Sequence, residues 1–587
     1  MIFDKNRRLK RTRQSDQFYL PGEEINIAGS DLFSQWNNEN KGNIFAGRAR
    51  VLFSIFCFIC AYGIVGLRLT DLCVLSNWNE EPIKSTYIQP VTLHRADIVD
   101  VNGTIVATSL PTQDLDVNPA KLLKPKATAE KMVEIFPDWK DKFDFIYERL
   151  KKSRKHITLR RNLTPNQQSK IMALGNPGLE FRSDEKRVYP HKNLMGHVVG
   201  LVDIDNNGVA GLEKGLNDRI TSSNLPLKLT IDIGVQDSVR NILLKYNKKF
   251  MAQGATAILM NANTAEIVAM VSVPDYDPNN VTSSKGMFNL ATSRIYEPGS
   301  VLKVFNTALA LESGKVKSHE KFDTVQPLKL KYNTIKEFHG KGRPLDVKEI
   351  LVYSSNVGSA RMALQAGYNE QHSFLERINM LKKIDMELVE TAIPLVMKED
   401  KWKRSDSAVA TIGFGYGLSV SPLHLAAAFA AVVNGGLYNV PTIVNGKYNA
   451  NNSVRVLSDN TSKQMRKLLR AVVTEGTGGN ANVLGYEVGG KTGTANKQDE
   501  HGHYIAKHVH STFMAAFPMS APKYVLVVMI DDPKSLEETF GHTEAGWNAV
   551  PAAGEIIATV APQLGVYANV DLDEKRQHKI IEAAFER

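Results

Sequence analysis

Cysteine is almost missing from this chain. Among its 587 residues there are three cysteines, and all of them lie between positions 57 and 73. No disulfide framework therefore holds the long remainder of the chain together. Cys57 and Cys60 have the spacing of a redox pair, but both lie in an apolar stretch, so we interpret them as small packing residues.

A strong excess of charge is missing as well. The net charge is +10, and 23% of the residues are charged, which is modest for this length. Part of the excess is local, because six basic residues crowd the N-terminus: Lys5, Arg7, Arg8, Lys10, Arg11 and Arg13. No nucleic-acid recognition module follows them. The hydrophobic content of 43% is ordinary for globular protein, and the length predicts roughly three or four structural units.

Charge is wholly absent from one long run. Residues 51–67 read VLFSIFCFICAYGIVGL, and extension to Thr70 gives the length of a membrane span. We therefore predict a polar cytoplasmic tail over 1–50 and a transmembrane helix over 51–70. A buried core helix is the alternative. A cleaved signal peptide is disfavoured because fifty residues precede the run and no small-residue cleavage site follows it cleanly.

The flanks of this run differ in charge. Basic residues precede it and acidic residues follow it: Lys41, Arg48 and Arg50, then Asp71, Glu80 and Glu81. Basic residues favour the cytoplasmic side of a membrane. We expect the N-terminus in the cytoplasm and the bulk of the chain outside it.

Residues 85–225 predict a non-catalytic pedestal domain of short strands and helices with many charges. Residues 95–107 predict two strands joined at an Asn-Gly turn, and residues 125–175 predict amphipathic helices. Nothing in this region pairs a nucleophile with a base. We therefore interpret Arg95 and Glu213 as structural ion-pair or capping residues.

Residues 227–565 predict a second unit with strands at both ends and helices between them. The predicted strands and closing helix are Ala255–Met260, Glu266–Val273, Glu487–Thr494, Ser511–Phe517, Tyr524–Asp531 and Val550–Val560. This order implies one antiparallel sheet flanked by a helical subdomain, an α+β fold. Residues 566–587 are then a C-terminal tail.

The stretch Glu297–Lys303 sets a serine and a lysine three positions apart at the predicted start of a buried helix, which Gly314 ends. Positions i and i+3 share a helix face, so we expect the Lys303 amine beside the Ser300 hydroxyl. A helix N-terminus and an apolar surround both lower the pKa of a lysine. Ser300 is therefore a candidate nucleophile and Lys303 its base, although a single Ser-x-x-Lys pattern is common in helices.

Two further motifs strengthen this interpretation. Ser354-Ser355-Asn356 supplies Ser-x-Asn, and Lys491–Thr494 supplies Lys-Thr-Gly-Thr on a predicted strand. In their order and spacing the three motifs match the signature of penicillin-binding proteins and related β-lactamases. The pattern predicts acyl transfer through an ester on Ser300.

Each residue of the motifs receives a role in that chemistry. Ser354 relays a proton toward the leaving amine, Lys491 keeps the site electropositive, and Asn356 binds the substrate amide. Thr492 and Thr494 offer hydroxyls to a terminal carboxylate, and Gly493 lets a peptide lie along the strand. Backbone N–H groups of Ser300 and Thr494 are the expected oxyanion hole. A peptide C-terminus is the implied substrate.

On these motifs the chain resembles the class B penicillin-binding proteins over nearly its whole length. The pedestal also resembles theirs, through three stretches: Arg95–Gly103, Arg187–Pro190 and Gly208–Glu213. Ala96 and Val101 depart from the usual Gly and Arg of the first stretch, which places its turn geometry in question. Ser354–Gly358, Gly415–Leu423 and Lys491–Ala495 are most similar to the division-specific member that builds the septum.

The resemblance implies cross-linking of peptidoglycan stem peptides at the D-alanyl-D-alanine end, with β-lactams trapping Ser300. It implies an inner-membrane protein with its catalytic domain in the periplasm, no cofactor and no metal. The expected partners are a membrane glycosyltransferase and other division proteins. No Glu-Asp-x-x-Phe glycosyltransferase signature precedes residue 225, so no glycan polymerisation is expected.

Two alternatives stay open. A D,D-carboxypeptidase or β-lactamase would share the three motifs and use water as acceptor. A membrane β-lactam sensor or a non-catalytic division scaffold would also share them, but sensors of this kind carry several spans and a cytoplasmic output module.

Four histidines fall within ten residues of the predicted hairpin: His501, His503, His508 and His510. Alternate residues share a strand face, so the group has the composition of a zinc site. We interpret them instead as polar residues of an exposed hairpin, because the acyl-transfer chemistry requires no metal.

Overall fold

The structure is a computed structural model that describes residues 41–70, 95–152, 156–331, 333–499 and 501–569. The predicted tail over 1–40, Cys73 and residues 570–587 lie outside the described residues. The chain forms two units, Met1–Thr92 and Leu93–Arg587.

The first unit contains one long helix, α1 (Lys41–Thr70). Its segment Leu52–Thr70 is long and apolar enough to cross a membrane, and none of it is buried against protein. The helix begins ten residues before the predicted span, so residues 41–50 of the predicted tail are helical. No proline interrupts Lys41–Arg50, and a helix already nucleated by the apolar run extends at little cost per residue.

The pedestal is built on a twisted sheet with the strand order β3-β2-β1-β7, with β4 also paired to β2. Its strands are β1 (Ile98–Val99), β2 (Ile105–Val117), β3 (Ile157–Leu163), β4 (Leu179–Val188), β5 (Leu201–Val202), β6 (Gly208–Ala210) and β7 (Leu227–Lys228). Its helices are α2 (Pro125–Ile135), α3 (Phe143–Lys152), α4 (Pro165–Met172), α5 (Gly196–Val199), α6 (Gly211–Gly215) and α7 (Asn217–Ser222).

The predicted Asn-Gly hairpin is confirmed. The Asp100 amide donates to the Thr104 carbonyl at 2.9 Å, and Gly103 closes the turn at φ +89°. Ala96 is buried, and its departure from the family pattern leaves the turn intact. The prediction that residues 125–175 are helical is wrong for β3, because Ile157–Leu163 pairs with β2 and this long-range pairing overrides the local pattern.

A buried ion network holds the pedestal together. Glu213 accepts from Arg95 Nε at 2.5 Å and from Arg187 Nε at 2.7 Å. All three side chains are buried, and Arg187 also donates to the Ala96 carbonyl at 2.9 Å. The structural interpretation of Arg95 and Glu213 is therefore confirmed, and the network joins all three pedestal stretches that resemble the family.

The segment 227–565, which carries the three predicted motifs and is called the catalytic unit below, is organised around an antiparallel sheet with the strand order β18-β19-β20-β8-β9. Its strands are β8 (Gly254–Asn261), β9 (Ile267–Val273), β18 (Gly489–Gln498), β19 (Tyr504–Phe517) and β20 (Tyr524–Asp531). All five predicted strands are confirmed, with β19 extended toward its turn. Among the described residues β18 has a strand neighbour on one side only, which makes it an edge strand.

Helices cover both faces of this sheet, which explains why β20 is apolar throughout. On one face Leu526, Val528 and Ile530 pack with α8 (Ile233–Lys249) and α17 (Ala549–Gln563). On the other face Val525, Val527 and Met529 pack with the alanine-rich α15 (Pro422–Val433).

The helical subdomain lies between β9 and β18 in the chain. Its helices include α9 (Lys303–Glu312), α10 (Val347–Val352), α11 (Asn356–Ala366), α12 (Tyr368–Arg377), α13 (Glu399–Lys403), α14 (Asp406–Phe414), the already named α15, and α16 (Asp459–Glu475). Its short strands are β10 (Lys321–Phe322), β11 (Leu328–Lys329), β12 (Thr334–Ile335), β13 (Leu345–Asp346), β14 (Leu395–Val396), β15 (Leu418–Ser419), β16 (Leu437–Tyr438) and β17 (Val454–Arg455).

The structure differs from the predicted boundaries of the catalytic unit at both ends. The strand at Leu227 pairs in parallel with β1 of the pedestal, so the predicted start of the catalytic unit shares the pedestal sheet. At the other end Val566 is buried and the Asn569 amide donates to Gly485, so the first residues of the predicted C-terminal tail pack onto the catalytic unit.

Candidate active site

Ser300 lies on a tight turn and not in the first turn of an α-helix. Residues Gly299–Leu302 form a 3₁₀ helix that leads into α9. Gly299 stands at φ +60°, and Gly314 at φ +71° follows the end of α9 as predicted. The half-buried Ser300 is therefore presented one turn before the helix that carries Lys303.

Three glycines bring this turn against its neighbours. A Cβ atom on Gly493 would lie 2.6 Å from the Pro298 carbonyl oxygen, one on Gly299 2.7 Å from the Thr494 oxygen, and one on Gly415 1.9 Å from the Gly299 oxygen. The turn is thus clamped between the edge strand β18 and the loop after α14. Gly493 is needed for this approach as well as for the substrate access that the sequence suggests.

Gly493→Ala tests this contact. Because the added methyl has no space beside Pro298, we expect a loss of about 1–3 kcal/mol of unfolding free energy and slower acylation by a fluorescent penicillin. Gly479→Ala is the matched control, since its Cβ would meet its nearest atom at 3.9 Å. Equal melting temperatures and labelling rates for the two variants would contradict the role of Gly493.

Lys303 is fully buried and binds the second motif. Its Nζ lies 2.6 Å from the Ser354 carbonyl oxygen, 3.2 Å from Ser354 Oγ and 2.7 Å from Asn356 Oδ1. Within the described residues Ser300 is not one of its hydrogen-bond partners, which differs from the direct contact the sequence predicts. The amine is aimed at the Ser-x-Asn motif, which supplies all three of these neutral acceptors.

Ser354 is the meeting point of the two lysines. It sits between α10 and α11 in the left-handed region at φ +60°, a strained conformation for a non-glycine residue that is often found at functional sites. Its Oγ lies 3.0 Å from Lys491 Nζ and 3.2 Å from Lys303 Nζ. A proton can pass along this line between two amines.

Burial sets the charge of both lysines. Lys491 is fully buried on β18, and burial lowers its pKa to about 7. Burial also lowers the pKa of Lys303 well below its usual value, the Lys491 charge lowers it further, and the Glu337 carboxylate acts in the opposite direction. Two neighbouring ammonium groups are unfavourable without water, so the pair readily holds a neutral amine near neutral pH.

The predicted substrate residues line the edge strand. Lys491 Nζ lies 3.4 Å from Thr492 Oγ1, and Thr492 Oγ1 lies 2.7 Å from the hydroxyl of Thr477. Thr494 Oγ1 accepts from the Ala545 amide at 3.2 Å. Asn356 Oδ1 accepts from Lys303, which leaves the side-chain NH2 group of Asn356 as the donor for a substrate carbonyl.

Sequence reasoning missed three side chains around this site. Thr477 follows α16 in a Gly-Thr-Gly-Gly stretch, a turn signal that could have placed it in a loop. Glu297 opens the stretch that contains Ser300, and its carboxylate accepts from the Gly417 amide at 2.6 Å and from Tyr504 at 2.8 Å. Glu337 stands in a loop without any local motif.

The histidines divide into two groups. His501 and His503 are exposed, as predicted for the hairpin. His510 is buried and lies 3.1 Å from Asp531, so the prediction of an exposed residue is wrong for it, because β20 covers that part of β19. His508 lies 2.9 Å from Asp532 and keeps a partly exposed side chain. The described part of the chain has no cluster of three or more His, Cys, Asp or Glu side chains that could hold a metal.

Comparison with known proteins identifies the family. The model of the penicillin binding protein transpeptidase domain matches residues 255–557, and that of the penicillin-binding protein dimerisation domain matches residues 90–223. A Caulobacter vibrioides protein named probable peptidoglycan D,D-transpeptidase FtsI is 35% identical over 83% of this chain and 84% of its own length. This chain belongs to the class B penicillin-binding proteins.

Other relatives of this penicillin-binding protein agree. Peptidoglycan D,D-transpeptidase FtsI of Escherichia coli K12 is 27% identical over 90% of this chain and 94% of its own length. The crystal structure of penicillin binding protein 3 from Mycobacterium tuberculosis, complexed with aztreonam, has a TM-score of 0.64 at 22% identity and covers 81% of this chain and 98% of that one. The α+β fold with a pedestal and a transpeptidase domain is thereby confirmed.

Proposed function

We propose that this penicillin-binding protein is the septal peptidoglycan D,D-transpeptidase, which joins stem peptides through an acyl-enzyme on Ser300. The observation that carries the proposal is the convergence of two buried lysines on Ser354 Oγ, at 3.2 and 3.0 Å, beside the clamped Ser300 turn. The names of its relatives support the same reaction.

Acylation follows from this arrangement. The Ser300 oxygen attacks the carbonyl carbon of the penultimate D-alanine, and neutral Lys303 accepts the hydroxyl proton. Ser354 passes a proton to the nitrogen of the terminal D-alanine, the C–N bond breaks, and D-alanine leaves. An amine of a second stem peptide then attacks the ester, its proton returns to the site, and Ser300 is regenerated with a new peptide bond. β-Lactams acylate the same oxygen.

The donor peptide binds along the free edge of β18. Its backbone adds to the strand between Thr492 and Thr494, as a peptide joins an exposed sheet edge. Asn356 holds the donor amide, and the terminal carboxylate meets Thr492, Thr494 and the ammonium form of Lys491. The amides of Ser300 and Thr494 receive the oxyanion.

Membrane attachment is supported by the apolar segment Leu52–Thr70 and by the relatives. We place its N-terminus in the cytoplasm and the catalytic unit in the periplasm of the inner membrane, because basic residues precede the segment. A membrane glycosyltransferase and other division proteins are the expected partners, with the span and the pedestal as their contact regions.

The assay that tests this proposal separates cross-linking from hydrolysis. Purified full-length protein, a partner polymerase and lipid-linked disaccharide pentapeptide are incubated, and dimeric muropeptides are compared with monomers that have lost D-alanine. We expect dimers to dominate. Trimmed monomers without dimers would indicate a carboxypeptidase, and neither product would indicate a sensor or scaffold.

A further inference from the structure

The carboxylate of Glu337 binds the turn that carries Ser354 and Asn356. Glu337 Oε2 accepts from the Asn356 amide at 3.1 Å, and Oε1 accepts from the Val357 amide at 3.0 Å. The Ser355 hydroxyl donates to the same Oε1. Glu337 comes from the loop after β12, so a distant segment fixes the start of α11.

Capping of α11 does not by itself require this carboxylate. Ser355 is the N-cap residue, and its Oγ accepts from the Gly358 amide at 2.9 Å. A serine in this position already supplies the usual N-terminal cap. Glu337 takes the two preceding amides, of Asn356 in the motif that Lys303 binds and of Val357 directly after it.

The turn needs support on both sides because Ser354 is strained. On the side of α10, the Ser355 amide donates to the Ile350 carbonyl at 2.9 Å, and Lys303 Nζ binds the Ser354 carbonyl. On the side of α11, the support is the set of bonds to Glu337. A left-handed non-glycine residue persists where its surroundings fix it from both directions.

Glu337 is also the carboxylate whose charge acts on the Lys303 amine. Lys303 faces Lys491 from β18, the Asn356 amide from α11 and Glu337 from the loop after β12. The Lys491 charge lowers the pKa of Lys303 and the Glu337 charge raises it. Removal of the Glu337 charge therefore favours neutral Lys303 at lower pH.

We infer that Glu337 is a positioning residue for acylation, which holds the Ser354–Asn356 turn so that both side chains meet Lys303. The inference rests on the proposed function, because that function makes Lys303 the general base of the reaction. It explains why an acidic side chain that acts on the charge of Lys303 binds the neighbouring turn and not the amine itself.

The test measures the second-order rate of labelling of the full-length protein by a fluorescent penicillin from pH 5 to 9. Glu337→Ala should acylate roughly 10- to 100-fold more slowly across this range, because small misplacements of reacting groups have effects of this size. The acidic limit is the pH at which the labelling rate falls to half of its maximum on the acidic side of the profile. In Glu337→Gln this limit should shift to lower pH. A residue that only stabilised the fold would not move that limit.

Glu349→Gln is the matched control. Glu349 caps the preceding helix α10 by accepting from the Asp346 amide at 3.1 Å, and it pairs with Arg343. We expect this variant to lose stability while its acylation profile keeps the wild-type limit. If Glu337→Ala fails to fold, Glu337→Gln decides the question.

Two results would overturn this inference and leave the proposed function intact, provided that the wild type is labelled. One is an acidic limit in Glu337→Gln equal to that of the wild type, and the other is a labelling rate of Glu337→Ala within twofold of the wild-type rate. Absence of labelling in the wild type overturns the proposed function, and this inference with it.

Discussion

Replacing Ser300 by alanine will abolish covalent labelling by a fluorescent penicillin. The acyl-enzyme needs the Ser300 oxygen, and no other residue of the turn Gly299–Leu302 carries a hydroxyl group. The methyl group of alanine fits where a half-buried serine stood, so the fold should be retained. In-gel fluorescence after incubation with the penicillin measures the covalent labelling, and a thermal melt of the same variant measures whether the fold is retained.

Ser313→Ala is the control for this variant. Ser313 is also half-buried and lies at the other end of α9, where its hydroxyl donates to the Ala310 carbonyl at 2.8 Å. It should label at the wild-type rate. Persistent labelling of the Ser300→Ala variant would show that Ser300 is not the nucleophile.

Replacing Lys303 by alanine will slow acylation by roughly 10²- to 10⁴-fold, the usual contribution of a general base. Burial and the Lys491 charge lower the pKa of Lys303, so in the wild type the amine loses its proton at a lower pH than an ordinary lysine and becomes protonated as the pH falls. The wild-type rate should therefore decline toward acid. The variant has no amine to protonate, so its slow rate should lose that decline.

Lys303→Met distinguishes lost chemistry from lost packing, because methionine fills the buried volume without a base. Rates of penicillin labelling measured from pH 5 to 9 for both variants check the prediction. A methionine variant with a rate near that of wild type would reject Lys303 as the base.

The sequence predicted the parts of this site that lie close together along the chain. Ser300 lies in the turn directly before the helix of Lys303, Ser354 and Asn356 are two positions apart, and Lys491 stands on a strand that the sequence also predicts. The antiparallel sheet also followed from the order of strands and helices. Local spacing carried all of this information.

Contacts between distant segments could not be predicted in the same way. Glu337 reaches α11 from a loop with no motif, and Gly415 lies against Gly299 across more than one hundred positions. The strand Ile157–Leu163 was assigned to helix because its partner β2 lies far away in the chain. In each case the stabilising interaction exists only after the fold has formed.

The close approach of Gly299, Gly415 and Gly493 restricts how this protein can evolve resistance to β-lactams. A side chain at any of these positions would displace the Ser300 turn, which presents the oxygen that the donor peptide and β-lactams are proposed to share. Thr477 and Tyr504 stand at the exposed rim and lie outside this restriction. A substitution that discriminates between drug and substrate is therefore expected at the rim and not at these three glycines.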